Sequence, residues 1–232
     1  MKLATSLLLT CFILSSFLSQ AQKDLTQYAL PIVGSQSEYQ LSNGNTYPCI
    51  ALPFAMNHWT PQTALNGERW QYSYNAYYIT GLKETHQPSP WVGDYGQLSL
   101  MPTVGEKKFL EKDRQSWFSH KAELAAPNYY RVYLADHNVT AELAPSERGC
   151  IMRFTFPETD QANVVIDAFD QGSFVKIIPE ENEITGYTTQ HSGGKKLLPE
   201  NFKNYFAVQF DKPFKSFSAW RDSPFVGEEK DV

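Results

Sequence analysis

Short apolar runs recur about every ten residues in the second half of the chain, with polar turn segments between them. The runs are residues 129–134, 139–143, 149–156, 163–169, 173–178, 183–189, 205–210 and 214–220. Runs of this length and spacing predict antiparallel strands of a sandwich or barrel. Beyond the N-terminal leader, no window keeps apolar residues at helical spacing for about ten positions. The pattern predicts one all-β unit of about ten or more strands.

The first third of the chain is less regular. Residues 30–35 (LPIVGS) predict a short apolar strand, and residues 49–56 (CIALPFAM) predict a buried strand interrupted by Pro53, which has no N–H for a sheet ladder. Residues 97–101 alternate polar and apolar side chains, as a half-buried strand does. The charged segment 106–112 predicts a solvated loop.

Residues 1–21 have the pattern of an export signal. Lys2 precedes an apolar run, and Ser19 and Ala21 supply small residues at the −3 and −1 positions of a cleavage site before Gln22. We therefore expect residues 22–232 to form the mature protein, periplasmic or secreted. No later run approaches the about 20 apolar residues that a membrane-spanning helix needs.

Net charge and cysteine content limit the kinds of ligand and metal site that we expect for this chain. The net charge is −5 and there is no cluster of Lys and Arg, so the basic surface that nucleic acid or an anionic membrane requires is not expected. A neutral ligand is favoured. In an oxidising compartment outside the cytoplasm, Cys49 and Cys150 can form a disulfide, but we favour two buried free thiols. Neither cysteine has a second Cys or a His at the spacing of a zinc site.

Residues 79–105 concentrate the candidate binding chemistry. Their hydrogen-bonding and aromatic side chains stand among prolines and glycines that restrict or free the backbone, and they are His86, Gln87, Ser89, Trp91, Asp94, Tyr95 and Gln97. This mixture suits a polyhydroxylated ligand such as a sugar. A rigid aromatic loop that closes the end of a sandwich explains the same composition.

The sequence does not offer a complete catalytic site. Glycoside hydrolysis needs two carboxyl groups, and Asp94 is the only acid within the aromatic-rich loop. Glu84 stands beside Lys83, where surface pairing explains it, and Glu68 is explained in the same way by its neighbour. There is no G-x-S-x-G or H-E-x-x-H motif. We therefore predict neither a catalytic residue nor a metal ligand in this chain.

Four segments form an ordered set of motifs. They are PIVGS (31–35); GNTYP (44–48) with ALPFAM (51–56); ITGL (79–82) with Thr85, His86 and DYG (94–96); and FSHKAE (118–123) with APNYY (126–130) and ELAPSER (142–148). In this order they resemble the N-terminal domain of glycoside hydrolase family 92, the calcium-dependent exo-acting α-mannosidases. The resemblance covers nearly all of residues 22–232.

The resemblance implies a fold and a division of roles. It implies an antiparallel β-sandwich of the galactose-mutarotase-like (supersandwich) type, packed against a catalytic α/α barrel domain that we expect to be absent from this chain. The inverting acid and base and most calcium ligands would lie on that barrel. The sandwich would line the subsite of a terminal mannose with Val33, Gly34, Asp94 and Tyr95, and His86 and Trp91 would shape the loop. The alternative is a stand-alone carbohydrate-binding or structural β-sandwich.

Overall fold

The computed structural model describes residues 25–36, 46–66, 70–89, 98–169, 172–189, 201–221 and 223–227. The predicted export signal lies outside these residues, as do Trp91, Asp94 and Tyr95. No helix in the described ranges has the length and apolar character needed to cross a membrane.

The described chain is nearly all β-structure, which confirms the predicted fold class. In chain order the strands are β1 His58–Gln62, β2 Tyr78–Ile79, β3 Gly81–Thr85, β4 Ser99–Val104, β5 Ser116–Trp117, β6 Leu124–Ala126, β7 Tyr129–Leu134, β8 Val139–Pro145, β9 Cys150–Thr155, β10 Ala162–Asp167, β11 Ser173–Ile178, β12 Glu183–Thr188, β13 Asn204–Gln209, β14 Ala219–Arg221 and β15 Ser223–Gly227. The helical segments are one short helix, α1 (Glu111–Arg114), and the 3-10 turns Thr26–Tyr28, His120–Ala122 and Pro179–Glu181.

The strands of the described residues form three larger antiparallel sheets and two ribbons. The first sheet has the order β1-β3-β4-β10, the second β6-β7-β8-β9 and the third β11-β12-β13. The ribbons are β2-β5 and β14-β15. The second and third sheets connect strands that follow one another in sequence, as the regular spacing of apolar runs predicted.

The core lies between the first and second sheets. In β7 the buried residues Tyr130, Val132 and Leu134 alternate with the exposed residues Arg131 and Tyr133, the pattern of a strand with one face against the core. The buried apolar cluster joins Leu82, Leu100, Met101 and Val165 of the first sheet with Val132, Leu134, Ala141 and Leu143 of the second. Leu82 and Leu100 lie on one face of the first sheet and Met101 and Val165 on the other, so protein packs on both faces of this sheet. Apolar burial in this cluster holds the two sheets together.

Two predicted early strands are wrong. Residues 30–35 form successive turns, in which Val33 N–H donates to the Leu30 carbonyl and Ser35 N–H to the Ile32 carbonyl. Residues 49–56 make only one bridge, between Ile50 and Trp59, before the chain turns. The apolar composition of both segments suggested strands, but their prolines and local turn hydrogen bonds leave no continuous ladder.

The prediction for the end of the described chain is only partly correct. Residues 214–218, predicted as the start of a final strand, do not form one, and β14 begins at Ala219. Beyond the predicted strands, residues 223–227 form β15, which pairs with β14. A two-stranded ribbon therefore replaces the single strand.

The surface pairing predicted for Lys83 and Glu84 is also wrong. All five residues of β3 are buried, because protein covers both faces of this strand. Lys83 is 0% exposed and its Nζ donates to Asn66 Oδ1. Glu84 is 6% exposed and faces the opposite side of the sheet. Both charged groups are thus internal structural elements.

Candidate functional site

The 31–35 loop (residues 31–35) presents a side chain and a stretch of backbone at the surface. Ser35 Oγ donates to the Ile32 carbonyl at 2.6 Å, which closes the turn from the inside. Gly34 has a φ of 87°, a left-handed conformation that glycine adopts without a steric penalty. Val33 is 71% exposed. The glycine leaves main-chain atoms of the loop open to close approach by a ligand.

Residues 46 and 47 join this loop to the segment that carries His86. Thr46 Oγ1 donates to the Val33 carbonyl at 3.2 Å. Next along the chain, the Tyr47 hydroxyl shares a 3.0 Å hydrogen bond with Thr85 Oγ1, and Tyr47 N–H donates to the Pro88 carbonyl at 3.2 Å. Tyr47 is buried. The structure therefore connects Val33 and Gly34 to the residues around His86 through two adjacent residues, Thr46 and Tyr47.

Glu84 connects the His86 segment to two other parts of the fold. Its Oε1 accepts a 2.9 Å hydrogen bond from Asn57 Nδ2, and its Oε2 accepts a 3.1 Å bond from Asn204 Nδ2 at the start of β13. His86 Nε2 lies 3.8 Å from Glu84 Oε1. Sequence reasoning missed this role. The signal was the place of Glu84 on a strand, where its side chain points to the face opposite that of Lys83.

Tyr74 forms the underside of the 31–35 loop. Its N–H donates to the Ser35 carbonyl at 3.1 Å. Its ring is stacked on the His120 imidazole, with centroids 3.9 Å apart and planes 5° from parallel. His120 Nε2 lies 2.7 Å from the Tyr74 carbonyl oxygen. A carbonyl can only accept, so Nε2 carries a proton and donates it.

A buried carboxylate fixes the other side of His120. His120 Nδ1 lies 2.5 Å from Glu123 Oε2, and the Glu123 side chain is 0% exposed. The Tyr130 hydroxyl donates to Glu123 Oε1 at 2.7 Å, and the Tyr72 hydroxyl lies 3.3 Å from both carboxylate oxygens. Burial, followed by the negative charge of Glu123, raises the pKa of both tyrosines, so they remain hydrogen-bond donors. His120 and Glu123 both belong to the FSHKAE motif, but the sequence did not predict the role of either residue.

An open pocket of ≈ 340 Å³ lies above Tyr74. Its lining residues are Ile32, Val33, Gly34, Gln36 and Tyr74. Among the described lining residues, Tyr74 is the one that comes from outside residues 32–36. The pocket thus brings two of the predicted site residues, Val33 and Gly34, together with Tyr74.

A larger cavity of ≈ 1010 Å³ lies beside β10, the third sheet and residues 210–220. Aromatic side chains form much of its wall, among them Phe174, Phe210, Phe214 and Trp220. None of the predicted site residues within the described ranges lines it. We therefore place the candidate site at the 31–35 loop.

The parts of the chain that the structure describes contain no group of three or more His, Cys, Asp or Glu side chains arranged to hold a metal ion.

Cys49 and Cys150 are free thiols, in agreement with the favoured prediction. Burial raises the pKa of Cys49 to about 11, and burial together with the charge of Glu84 raises the pKa of Cys150. We expect native residues 22–232 to react with Ellman's reagent at about pH 8 roughly a hundredfold more slowly than free cysteine, because little thiolate is present. In denaturant both thiols should react promptly. Unfolded protein that gave no thiol signal until reduction would instead contain a disulfide.

The comparisons with known proteins agree on one family. The family model described as the glycosyl hydrolase family 92 N-terminal domain matches residues 28–232. A search of curated proteins gives no match. Among solved structures, the family GH92 inverting mannosidase from Bacteroides thetaiotaomicron VPI-5482 is 36% identical, with a TM-score of 0.84 over 91% of this chain and 28% of that chain.

A second solved relative has the same family assignment. It is a family GH92 α-mannosidase from Bacteroides thetaiotaomicron, 26% identical, with a TM-score of 0.70 over 91% of this chain and 30% of that chain. Its complex with mannoimidazole matches at 25% identity and a TM-score of 0.69, over 90% of this chain and 29% of that chain. The chain thus spans less than a third of the length of these mannosidases. The chain belongs to glycosyl hydrolase family 92, to whose N-terminal domain it corresponds.

Proposed function

We propose that this chain lines the sugar site of an exported α-mannosidase that hydrolyses terminal α-mannosidic bonds in mannan or N-glycans. The observation that carries the proposal is the connection of the 31–35 loop to the His86 segment through Thr46 and Tyr47. Both segments belong to the ordered motif set. The mannosidase relatives, one of them solved with mannoimidazole, support mannose as the sugar.

The geometry favours a neutral, hydroxyl-rich ligand. Gly34 lets a pyranose approach the main chain of the loop, where backbone groups can exchange hydrogen bonds with sugar hydroxyls. The exposed Val33 side chain offers an apolar contact beside them. We place His86, Trp91, Asp94 and Tyr95 on the same wall of the subsite.

In this proposal the bond cleavage takes place on another domain. An inverting glycosidase uses an acid and a base roughly 6.5–9.5 Å apart, with a water between the base and the sugar. We assign both carboxyl groups, and the calcium ligands, to an α/α barrel domain of the same enzyme. This chain would bind and orient the terminal sugar against them. The leader sequence supports export to the periplasm or the medium.

Binding to residues 22–232 tests the proposal. Methyl α-D-mannoside should cause saturable amide shift changes at Val33, Gly34 and His86 in 15N-labelled protein, whereas methyl α-D-galactoside should cause much smaller ones. The same protein should not hydrolyse 4-nitrophenyl α-D-mannoside. Turnover by this chain alone would contradict the assignment of catalysis to another domain, and the absence of saturable changes at these residues would overturn the proposed site.

Asp94→Ala provides a second check on the same preparation. Removing an ionised acceptor of sugar hydroxyls should weaken mannoside affinity by about 10- to 100-fold, the effect of losing a charged hydrogen bond. The midpoint of thermal unfolding should stay close to that of the wild type. If the midpoint falls in step with affinity, Asp94 is a structural residue of its loop.

A further inference from the structure

We propose that Tyr74 is the floor of the mannose subsite and that His120 and Glu123 are positioning residues that hold its ring in place. The inference rests on the proposed function and adds three residues to it. Tyr74 lies outside the four motifs, and the family match assigns it no role.

Two parts of the described chain line the pocket. Ile32, Val33, Gly34 and Gln36 are close together in sequence and come from one loop. Tyr74 comes from the segment between β1 and β2. A ligand held against Val33 and Gly34 in this pocket would therefore touch Tyr74.

Two main-chain hydrogen bonds and one ring contact restrain Tyr74. Its N–H is bonded to the Ser35 carbonyl, and its carbonyl accepts from His120 Nε2. One face of its ring is covered by the parallel imidazole at 3.9 Å. A ring held at its main chain and on one face keeps a fixed orientation beside the pocket that Tyr74 lines. Such preorganisation reduces the entropy lost when a ligand binds.

The support for His120 is buried. Glu123 has a fully buried side chain, accepts hydrogen bonds from two tyrosine hydroxyls, and has its Oε2 2.5 Å from His120 Nδ1. Phe118 packs edge-on against the imidazole, with centroids 5.1 Å apart. These partners leave the imidazole little freedom to rotate. Because a buried carboxylate is costly unless it is satisfied, the network is sensitive to the loss of any one partner.

The chemistry of this floor fits a hexopyranose. A flat aromatic surface packs against the apolar C–H face of a sugar ring, while the loop backbone beside Gly34 can bond the hydroxyls at its edge. The ligand class is thus a terminal neutral sugar with one apolar face, which stacks on Tyr74 and has its hydroxyls directed to the 31–35 loop.

The wild-type protein gives the most direct test. In residues 22–232 with methyl α-D-mannoside, nuclear Overhauser effects are expected between Tyr74 ring protons and sugar C–H protons. Saturable amide shifts at Val33 and Gly34 without any such effect from Tyr74 would overturn this inference and leave the proposed function intact. No saturable shift at Val33, Gly34 or His86 would overturn both.

Variants provide the second test. Tyr74→Leu keeps apolar volume but removes the flat ring, and it should weaken mannoside affinity about tenfold, whereas Tyr74→Phe should bind within about twofold of the wild type. Tyr77→Ala is the matched control, because Tyr77 is 68% exposed and does not line the pocket. Equal affinity of Tyr74→Leu and the wild type, measured on folded protein, would overturn the inference.

The positioning role has its own readout. His120→Ala should weaken mannoside affinity several-fold and shift the Gly34 amide resonance even without sugar, because the Tyr74 ring loses the partner on its covered face. His120→Gln, which can still donate to the Tyr74 carbonyl, should restore part of the affinity. If both variants bind as the wild type does, His120 supports the fold but not the site.

Discussion

Gly186→Ala is expected to lower the free energy of unfolding by about 4 kcal/mol or more. Gly186 lies on β12, the central strand of the third sheet, opposite Val175 and Phe206. A Cβ at this position would lie 2.2 Å from the Phe174 carbonyl oxygen and 2.6 Å from Phe206 Cζ. The carbonyl cannot move away without breaking the ladder between β11 and β12.

Urea denaturation measures this effect, with Gly149→Ala as the matched control. A Cβ at Gly149 would have Ser146 Oγ at 3.8 Å as its nearest neighbour, which is ordinary van der Waals contact. We expect this control to unfold within about 0.5 kcal/mol of the wild type. Equal denaturation midpoints for the two alanine variants would contradict the inference that Gly186 is too closely packed to accept a Cβ.

Arg114→Met is expected to cost about 3–5 kcal/mol, because it leaves a partly buried carboxylate without its cation. Arg114 is 1% exposed, and its Nη2 lies 2.5 Å from Asp167 Oδ2. Its Nη1 donates to the Phe109 carbonyl at 2.5 Å. The guanidinium thus joins β10 to the segment before α1, and no apolar side chain can replace both contacts.

A double-mutant cycle tests this pair. Arg114→Met with Asp167→Asn should be less destabilised than the sum of the single variants, since neither charge is then left alone. Arg153→Met is the comparison, because its side chain is 73% exposed beside Glu142 and its loss should lower the denaturation midpoint less than that of Arg114. Additive single effects at Arg114 and Asp167 would show that the two side chains are not coupled.

The pH dependence gives an independent check on the same cluster. Burial, followed by the negative charge of Asp167, raises the pKa of Glu111 above 4.5. A carboxyl whose pKa is higher in the folded than in the unfolded state binds its proton more tightly when folded, so the unfolding free energy falls as pH rises from about 4.5 through the folded pKa. Glu111→Gln should remove this slope. Arg114→Met should steepen it, because the guanidinium lowers the pKa of Glu111.

The sequence predicted the regular part of the fold well because each strand there carries its own local signal. In β7 the alternation of buried and exposed residues is visible in YYRVYL, and Asp136, His137 and Asn138 mark the turn that follows. In the first third of the chain, the apolar pattern and the turn-forming residues indicated different structures. In residues 30–35 and 49–56 the apolar side chains suggested strands, while the turn chemistry of Pro31, Gly34 and Pro53 determined the backbone.

The candidate site was harder to predict because its contacts join distant segments. Val33 and Gly34 were named through the family resemblance, and the structure places them in an open pocket. Tyr74 and His120 are 46 residues apart in sequence, and neither their spacing nor their residue types indicate that the two rings stack. Glu84 was misassigned because Lys83 is its neighbour in sequence, although on a strand the two side chains point to opposite faces. Trp91, Asp94 and Tyr95 remain predictions.

The order of strands in the first sheet has a consequence for how the chain folds. β4 pairs with β10, with Val104 opposite Ala162. The strands β5 to β9 therefore lie, in sequence, between two strands that are neighbours in the sheet. The meander β6 to β9 needs only short loops to close, whereas β10 must return across a long one. During synthesis and refolding, the meander can therefore form its hairpins first, and the first sheet is completed late. Amide protons of β7 and β8 should gain protection from exchange before those of β4 and β10.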